Sequence, residues 1–320
     1  MNHRKTLFGM LTILVSALLA AGCSGDPGDP EGSIDDEGTG SSASAKRAKK
    51  ESAEKLQHEL KGLEADIAAA LKDRDWSLAK RVIGIGVEKA NAGGNEFETM
   101  RARFLLQKGN LLRDKSDEVA ARRNYADAMA IFRVHGDQVG RFEVHLAQCQ
   151  LEEILGDYAA ASRDLAQAEV LLSQNEDANL KGAFLIRSGR LAFRQVKYDE
   201  AYEAFLEAVR IFAQAKDRMA QADALVLLSD VEDHKGETSQ CRRSLGKALA
   251  IFKKSGNKDG EVRALHKLAT LAERDKKYRS ARTLLQKAYK LYKELDRPSD
   301  ATKVQQHINA LPEPGKKKKK

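Results

Sequence analysis

The chain has 320 residues, 42% of them hydrophobic and 6% aromatic, and a formal net charge of +8. No proline, the residue that most strongly breaks helices, lies between residues 31 and 297. This composition predicts an all-α protein. The positive excess lies mainly in residues 4–5, 46–50 and 316–320, so the body of the chain is nearly neutral. We therefore expect no nucleic-acid partner, which a basic body would have indicated.

Residues 1–22 have the features of a bacterial signal peptide. Two basic residues precede the apolar run TLFGMLTILVSALLAA, which is too short to serve as a flanked membrane span. The run leads into LAAGC, where Ala21 and Gly22 are small enough for a signal peptidase and Cys23 offers a thiol. This motif resembles a bacterial lipobox, so we expect diacylglycerol on Cys23. The alternative is an ordinary cleaved signal followed by a chance cysteine.

Residues 23–50 are expected to form the lipidated cysteine and a flexible linker. The stretch SGDPGDPEGSIDDEGTGSSASA is rich in Gly, Ser and Asp and has almost nothing to bury. Ser24 stands where aspartate could have stood, which by resemblance to enterobacterial lipoproteins favours export to the outer membrane. We therefore expect a lipid-anchored protein of the bacterial outer membrane that faces the periplasm.

A repeat with a period of about 40 residues occupies most of the remaining sequence. One small residue recurs in six units, at Ala79, Ala121, Ala161, Ala201, Cys241 and Ala281. A second small residue precedes the last five of these, at Gly109, Cys149, Gly189, Ser229 and Ala269. A large residue follows them, at Tyr125, Leu165, Phe205, Leu245 and Leu285. The 3–4 spacing of apolar residues predicts two helices in each unit, which meet at the small residues.

Helix boundaries are predicted from two further patterns. A short oxygen acceptor precedes each new first helix as an expected N-cap, at Asp137, Asp177, Asp217 and Asn257. The last stretch, residues 300–311, has an apolar side of only Val304, Ile308 and Leu311. Such a helix suits the end of a repeat array, where no later repeat covers the other face.

The repeat resembles the tetratricopeptide repeat (TPR) family in its small–large–small arrangement. Gly189, Ala201, Phe205 and Ala208 show this arrangement, and Tyr198 is the aromatic residue that often begins the second helix. The period of 40 rather than 34 residues resembles the variant in kinesin light chains, and the closing proline of the family is absent. HEAT-type arrays share the period but usually carry prolines within their helices.

The resemblance implies a right-handed superhelical solenoid of about five to six TPR-like helix pairs with a C-terminal capping helix. We assign this repeat domain to residues 51–311 and a disordered Lys-rich tail to residues 312–320. The match is poorest in the first helix of the first unit, which leaves its packing open.

The sequence offers no catalytic motif, and we expect no enzyme activity, cofactor, metal or small-molecule substrate. The GxG in residues 84–89 lies within a predicted helix and not in the strand-to-helix turn of a dinucleotide site. Four residues could be metal ligands, namely Asp230, Asp233, His234 and Cys241. Asp230 and His234 share a helix face, but the repeat places Cys241 in the buried small column. Cys149 and Cys241 are expected to be reduced and buried.

First helices line the concave surface in this family, which implies a groove in the present chain. The residues carried over to it are Arg103, Asn110, Arg113, Gln150, Arg187, Arg190, Phe193, Arg194, Arg263 and His266. Asp223, Asp230 and Asp233 interrupt the basic series. Arginine forks suit carboxylate recognition, although the lysine- and asparagine-based clamp of chaperone-binding members is not reproduced.

Two functions remain open from the sequence. The first is a membrane-anchored adaptor that binds an envelope protein or peptide in the groove of the repeat array. The second is a structural lipoprotein whose lysine tail contacts peptidoglycan-associated polymer or anionic lipid, since each lysine near an anionic surface adds roughly 1 kcal/mol of attraction.

Replacing Cys23 by serine should release the protein from the membrane without unfolding it, because acyl chains on that cysteine provide the anchor. Membrane fractionation with circular dichroism of the soluble fraction measures both effects. A Cys23→Ser protein that stays entirely in the membrane fraction would contradict this anchor.

Overall fold

The computed structural model describes residues 38–312 except residues 174 and 176. The predicted signal peptide, Cys23, the first part of the predicted linker and residues 313–320 of the predicted lysine tail lie outside the described residues. By backbone contacts the chain divides into two compact units, residues 1–52 and 53–320. The described part of the first unit, residues 38–52, is helical.

The described residues form α-helices and one short 3-10 helix at Asn95–Phe97, with no strand among them. The helices are α1 (Gly38–Lys72), α2 (Trp76–Ala92), α3 (Glu98–Asp114), α4 (Glu118–Val134), α5 (Gln138–Leu155), α6 (Tyr158–Leu172), α7 (Ala178–Arg194), α8 (Tyr198–Gln214), α9 (Arg218–His234), α10 (Thr238–Lys254), α11 (Lys258–Arg274), α12 (Tyr278–Glu294) and α13 (Pro298–Ala310). They form six helical hairpins, from α1–α2 to α11–α12, and a final helix. The all-α solenoid expected from the sequence is confirmed.

Contacts between helices follow the order of the chain. From α2 onward each helix packs against the next, and the first helix α5 also contacts the first helices α3 and α7. These first helices therefore form an inner layer, and the second helices form an outer layer. The first hairpin joins the array through Leu60 and Ile67 of α1, Val82 and Ile83 of α2, and Phe104 of α3.

Helix α1 begins inside the segment that was expected to be a flexible linker. Residues 38–50 are helical, which departs from that expectation. The physical reason lies in residues 43–50, ASAKRAKK, since Ala, Lys and Arg have the highest helix propensities. Arg47 also donates from Nε to Glu51 Oε1 over 3.1 Å, one helical turn away. Among the described helices, none has the combined length and apolar character needed to cross a membrane.

The small-residue columns lie where two helices of a hairpin meet, as predicted. Ala121, Ala161, Ala201 and Ala281 are completely buried, and Cys241 nearly so. The partner of a small residue is often an aromatic ring. A Cβ atom on Gly189 would lie 2.7 Å from the Phe205 ring, and one on Gly109 2.5 Å from the Tyr125 ring. No real Cβ approaches so closely, so each ring occupies the space that a side chain would need.

Contacts between a glycine and an aromatic ring also join successive hairpins. A Cβ on Gly140 at the start of α5 would lie 2.4 Å from the ring of Phe132 in α4. The corresponding distance from Gly260 in α11 to Phe252 in α10 is also 2.4 Å. Glycine therefore permits close packing both within hairpins and between them.

The predicted N-caps of the first helices are confirmed. Asp137 Oδ1 accepts from the Gly140 amide over 2.8 Å, and Asn257 Oδ1 accepts from the Gly260 amide over 2.9 Å. Asp177 and Asp217 cap α7 and α9 in the same way. The second helices α2, α4 and α6 have caps that the sequence analysis missed, at Asp75, Asp117 and Asp157.

The terminal helix α13 has the predicted capping character. Pro298 occupies its first turn, where a missing amide hydrogen costs nothing. Val304, Ile308 and Leu311 are buried in one cluster with Leu285 of α12. The capping helix expected over residues 300–311 is confirmed, with its start two residues earlier.

The turns between helices share one unusual backbone conformation. Gly156 and Gly236, in the turns after α5 and α9, have φ angles of 81° and 78°. Val196 holds the equivalent position after α7 with φ of 64°. The left-handed region is unfavourable for residues with a Cβ and most of all for a β-branched one. The Val196 side chain is 65% exposed, so little packing offsets this strain.

Replacing Ala201 by leucine should lower the free energy of unfolding by about 1–3 kcal/mol, because the added atoms have no space between α7 and α8. Glu203 lies two residues away on the exposed face, and Glu203→Leu should change the stability little. Chemical denaturation of both variants makes the comparison. Equal midpoints would show that the repeat register is wrong.

Replacing Val196 by glycine should raise the free energy of unfolding by about 1 kcal/mol, because glycine adopts the left-handed backbone without strain. Val170 in α6 is the matched control, since it is 58% exposed but has a helical backbone. Val170→Gly should lower the stability, because glycine is a poorer helix former. Thermal unfolding of the two variants should therefore show shifts of opposite sign.

Candidate functional site

Half of the predicted groove residues line one cavity on the inner layer, between α1, α3, α5 and α7. We call this space of about 670 Å³ the groove cavity. The predicted residues in its lining are Arg103, Asn110, Arg113, Gln150 and Arg187. The lining also includes residues that the prediction did not contain, among them Glu64, Leu71, Leu106, Gln107, Asp114, Glu143 and Leu146.

Part of this additional lining could have been found from the repeat. Glu143 stands one period after Arg103 and therefore occupies the same position of the next first helix. Glu64 and Leu71 could not have been found in this way, because α1 lacks the small residue that marks the register of the other first helices.

Arg113 is held firmly at the wall of the cavity. Its side chain is 8% exposed. Its Nε and Nη2 donate to Asp114 Oδ1 over 2.9 and 2.8 Å, and its Nη1 donates to Asn110 Oδ1 over 2.9 Å. Asn110 Oδ1 also accepts from the hydroxyl of Tyr125 over 3.0 Å, and burial raises the pKa of that hydroxyl to about 12. The charge of Arg113 is thus met by a neighbouring carboxylate.

Arg187 has a different environment in the same cavity. Its side chain is 16% exposed, and Nη2 donates to the neutral Gln150 Oε1 over 2.8 Å. Its Nε and Nη1 are buried without a hydrogen-bond partner, and Glu153 Oε2 lies 3.8 Å from Nη1. Burial lowers the pKa of this guanidinium, and the charges of Arg190 and Arg113 act in the same direction.

The remaining predicted residues of α7 lie elsewhere. Arg194 is 60% exposed and donates from Nε to Glu153 Oε1 over 3.2 Å. The Phe193 ring packs 5.5 Å from the Tyr198 ring and 4.9 Å from the His234 ring, measured between centroids. Phe193 therefore belongs to an aromatic cluster where α7, α8 and α9 meet.

The acidic interruption on α9 is paired with bases on α11. Asp223 Oδ1 accepts from Arg263 Nη2 over 2.6 Å. Asp230 accepts from Lys267, and Asp233 accepts from Arg274. The partners lie about one period apart, a signal that the sequence analysis did not use. The charge of Arg263 is therefore neutralised by Asp223 of the preceding repeat.

His266 lies on α11 close to α12. Its ring centroid is 6.0 Å from that of Tyr292, and its buried Nε2 has no hydrogen-bond partner. Burial lowers the pKa of this imidazole, and the charge of His307 adds to the effect. A neutral ring in this place acts as packing between two helices.

A second cavity, of about 400 Å³, is lined by residues from both the first and the last hairpin of the repeat array. Leu71 and Arg74, at the corner between α1 and α2, line it from one side. Its other lining comes from the last hairpin and the turn after it, and includes Asn257, Asp259, Arg263, Tyr292 and Arg297. The solenoid therefore curves enough to bring its first hairpin opposite its last.

The cysteines fit a packing role, whereas Asp230 and Asp233 are paired with bases on α11. Cys149 and Cys241 are buried, with no disulfide between them, and burial raises the pKa of each thiol to about 12. No cluster of three or more His, Cys, Asp or Glu side chains suited to a metal ion occurs in the part of the chain that the structure describes.

Glu232 is a buried acid on α9 outside the groove cavity. Its side chain faces α10, where Ser244 Oγ donates to Oε1 over 3.1 Å, and Oε2 has no partner. The residue is 3% exposed, and burial raises the pKa of its carboxyl group. The ionised form of Glu232 is therefore unfavourable in the folded protein.

One part of the chain matches a known repeat family. Residues 234–294, from the end of α9 through α12, match the family model described as Tetratricopeptide repeat. In this part of the solenoid the resemblance predicted from the sequence is confirmed. A comparison with curated proteins gives no match.

Three solved structures illustrate the similar fold. Two are described as complexes with a factor or peptide, and the third as a protein with a TPR sensor. A Rap protein complexed with competence and sporulation factor has a TM-score of 0.58 and 14% identity, covering 76% of this chain and 72% of that one. NprR in complex with its cognate peptide NprX has a TM-score of 0.52 and 14% identity, covering 85% and 84%. A signal transduction ATPase with a TPR sensor from Pyrococcus horikoshii has a TM-score of 0.52 and 16% identity, covering 79% and 42%. At these identities the likeness is one of fold.

Replacing Glu232 by glutamine should raise the melting temperature at pH 7. The folded pKa of Glu232 lies above the ordinary glutamate value of 4.5, so the unfavourable charge develops in the folded state as the pH rises. The advantage of Glu232→Gln should therefore shrink as the pH falls toward 4.5, where the carboxyl group takes up a proton. Glutamine keeps an acceptor for Ser244.

Thermal unfolding of wild-type protein and the variant across this pH range measures the effect. Glu203→Gln, on the exposed face of α8, is the matched control and should show no pH-dependent difference. An advantage of Glu232→Gln that is constant with pH would contradict the buried charge as its cause.

Proposed function

We propose that this protein is a lipid-anchored adaptor of the bacterial envelope that binds a peptide segment of a partner protein in its groove cavity. The observation that carries this proposal is the cavity itself, which four helices line with arginine, amide and acidic side chains around an apolar floor. A volume of about 670 Å³ is within the range of ligand sites. Catalysis has no evident residues there, so we propose binding as the activity.

The lining suits an extended peptide. Gln107, Asn110 and Gln150 each present an amide, which can both donate to a backbone carbonyl and accept from a backbone N–H. Gln107 Oε1 is buried without a hydrogen-bond partner, so an N–H placed there would gain a bond that is missing. Leu106 and Leu146 add apolar surface between these polar groups. The cavity could therefore bind an extended peptide whose side chains alternate between polar and apolar.

Two similar folds support this reading. Their descriptions name competence and sporulation factor bound to a Rap protein and a cognate peptide bound to NprR. We extend peptide binding to the present chain on the basis of its groove cavity.

The proposed location follows from the sequence of the N-terminal region. Lipid on Cys23 would attach the protein to the outer membrane, and residues 24–37 would separate the membrane from α1. The groove would then be presented to proteins of the periplasm. A membrane-bound receptor for soluble or membrane partners needs no further anchor, provided that two or more acyl chains are attached.

The test is copurification of the full-length protein from detergent-solubilised membranes of its host. Gln107→Trp should fill the groove cavity with an indole and abolish recovery of a stoichiometric partner. Gln167 on α6 is exposed on an outer helix, so Gln167→Trp is the matched control and should retain the partner. Both variants should melt close to the wild-type temperature.

Deletion of Lys316–Lys320 separates the groove from the tail. Recovery of the partner should be unaffected by this deletion. Loss of the partner on deleting the lysines, together with full recovery by Gln107→Trp, would contradict a groove function and assign binding to the tail.

A further inference from the structure

Arg187 is the buried guanidinium of the groove cavity that has no carboxylate within hydrogen-bond distance. It donates to Gln150 Oε1 at 2.8 Å, while Nε and Nη1 have no partner. Arg113 in the same cavity has Asp114 at 2.8 Å. The hydrogen bond of Arg187 thus goes to a neutral amide, and the closest carboxylate oxygen lies 3.8 Å away, beyond hydrogen-bond distance. Buried charges are normally both paired and hydrogen-bonded, so Arg187 is incompletely compensated.

The nearest carboxylate, that of Glu153, forms an ion pair with Arg187 but no hydrogen bond. Its Oε1 accepts from Arg194 at 3.2 Å, and its Oε2, which has no hydrogen-bond partner, lies 3.8 Å from Arg187 Nη1. Glu153 therefore steadies the position of Arg187 without completing its hydrogen bonds. The guanidinium remains able to bind a further acceptor.

The surroundings of Arg187 favour a negative ligand of low charge. Arg190 and Arg113 are close enough to disfavour a further positive charge at Arg187. The same cavity is also lined by Glu64, Asp114 and Glu143. A carboxylate can accept from both Nη1 and Nη2 of one guanidinium, and it adds less negative charge beside these acids than a doubly charged phosphate does. The balance of charges therefore favours a carboxylate.

We infer that Arg187 binds a carboxylate of the peptide that occupies the groove cavity, and that Gln150 takes this position when no peptide is bound. The inference rests on the proposed function. The incoming carboxylate replaces Gln150 Oε1 at Nη2, and its second oxygen accepts from Nη1 in the paired geometry that guanidinium and carboxylate favour. The Gln150 amide is then released to bond the peptide backbone.

The carboxylate has two possible sources, an acidic side chain or the C-terminus of the peptide. Both present the same planar group to Arg187. Amidation of the peptide C-terminus removes one source and leaves the other intact, so the two can be distinguished.

The experiment uses the full-length protein as bait for a phage-displayed library of random dodecapeptides, with counter-selection on Gln107→Trp to remove peptides that bind elsewhere. Selected peptides are synthesised as free acids, as C-terminal amides, and with each Asp or Glu replaced by Asn or Gln. Fluorescence anisotropy gives the dissociation constants. We expect removal of one carboxylate to weaken binding about tenfold or more, as for other close charge pairs.

Two variants of the protein locate that carboxylate. Arg187→Gln keeps hydrogen-bonding capacity but removes the charge, and it should abolish the difference between acidic and neutral peptides. Arg163→Gln, at an exposed position on α6, is the matched control and should preserve the difference. Gln150→Glu places a carboxylate of the protein at Arg187, and it should weaken acidic peptides while raising the melting temperature. This second variant tests the inference even if Arg187→Gln does not fold.

The outcomes separate the inference from the proposed function. Peptides that require Gln107 but bind equally to wild-type protein, Arg187→Gln and Gln150→Glu would overturn the carboxylate site and leave the groove intact. Failure to select any peptide that Gln107→Trp excludes would overturn peptide binding itself. Loss of affinity on amidation supports the site with a terminal carboxylate, and loss on replacing Asp or Glu supports it with a side-chain carboxylate.

Discussion

Close approach of helix backbones at small residues is the constraint on which the rest of this structure depends. An aromatic ring rests against Gly189 within a hairpin, and another rests against Gly140 between hairpins. Because a ring fills the volume of the absent side chain, the distance and angle between helices are fixed at each contact. The inner helices are thereby aligned side by side, which is what brings groups from α3, α5 and α7 into one cavity.

This constraint explains why the fold could be predicted well. Small residues that recur at a fixed spacing indicate contacts between helices. A period of 40 residues over five units then determines which helices pair. The starts of α5 and α11 could be predicted from Asp137 and Asn257, because an N-cap residue with a short acceptor side chain stands directly before the first turn. The helical state of residues 38–50 was harder to predict, because residues 44–50 are exposed and a segment without buried side chains is governed by weak propensities.

The site could be predicted only in part. The register assigned Arg103, Asn110 and Arg187 to one surface, and these three residues line one cavity. It could not show that Phe193 packs against Tyr198 or that Arg263 binds Asp223, because those contacts depend on the angle between neighbouring repeats. Periodicity states which residues are equivalent, whereas the superhelix decides which of them meet. Leu71 illustrates the limit, since it reaches the groove cavity from a helix outside the regular register.

The position of Leu71 has a consequence for how this protein could evolve. It lies at a corner that borders both the groove cavity and the cavity opposite the last hairpin. Curvature in a solenoid accumulates from a small rotation at each repeat. One additional unit of 40 residues would carry the last hairpin past this corner, and one fewer would leave a gap before it. Open arrays tolerate changes in the number of repeats, but an array whose ends border a common space has its length set by geometry. Insertions in this chain are therefore expected in turns, where they leave the number of hairpins at six.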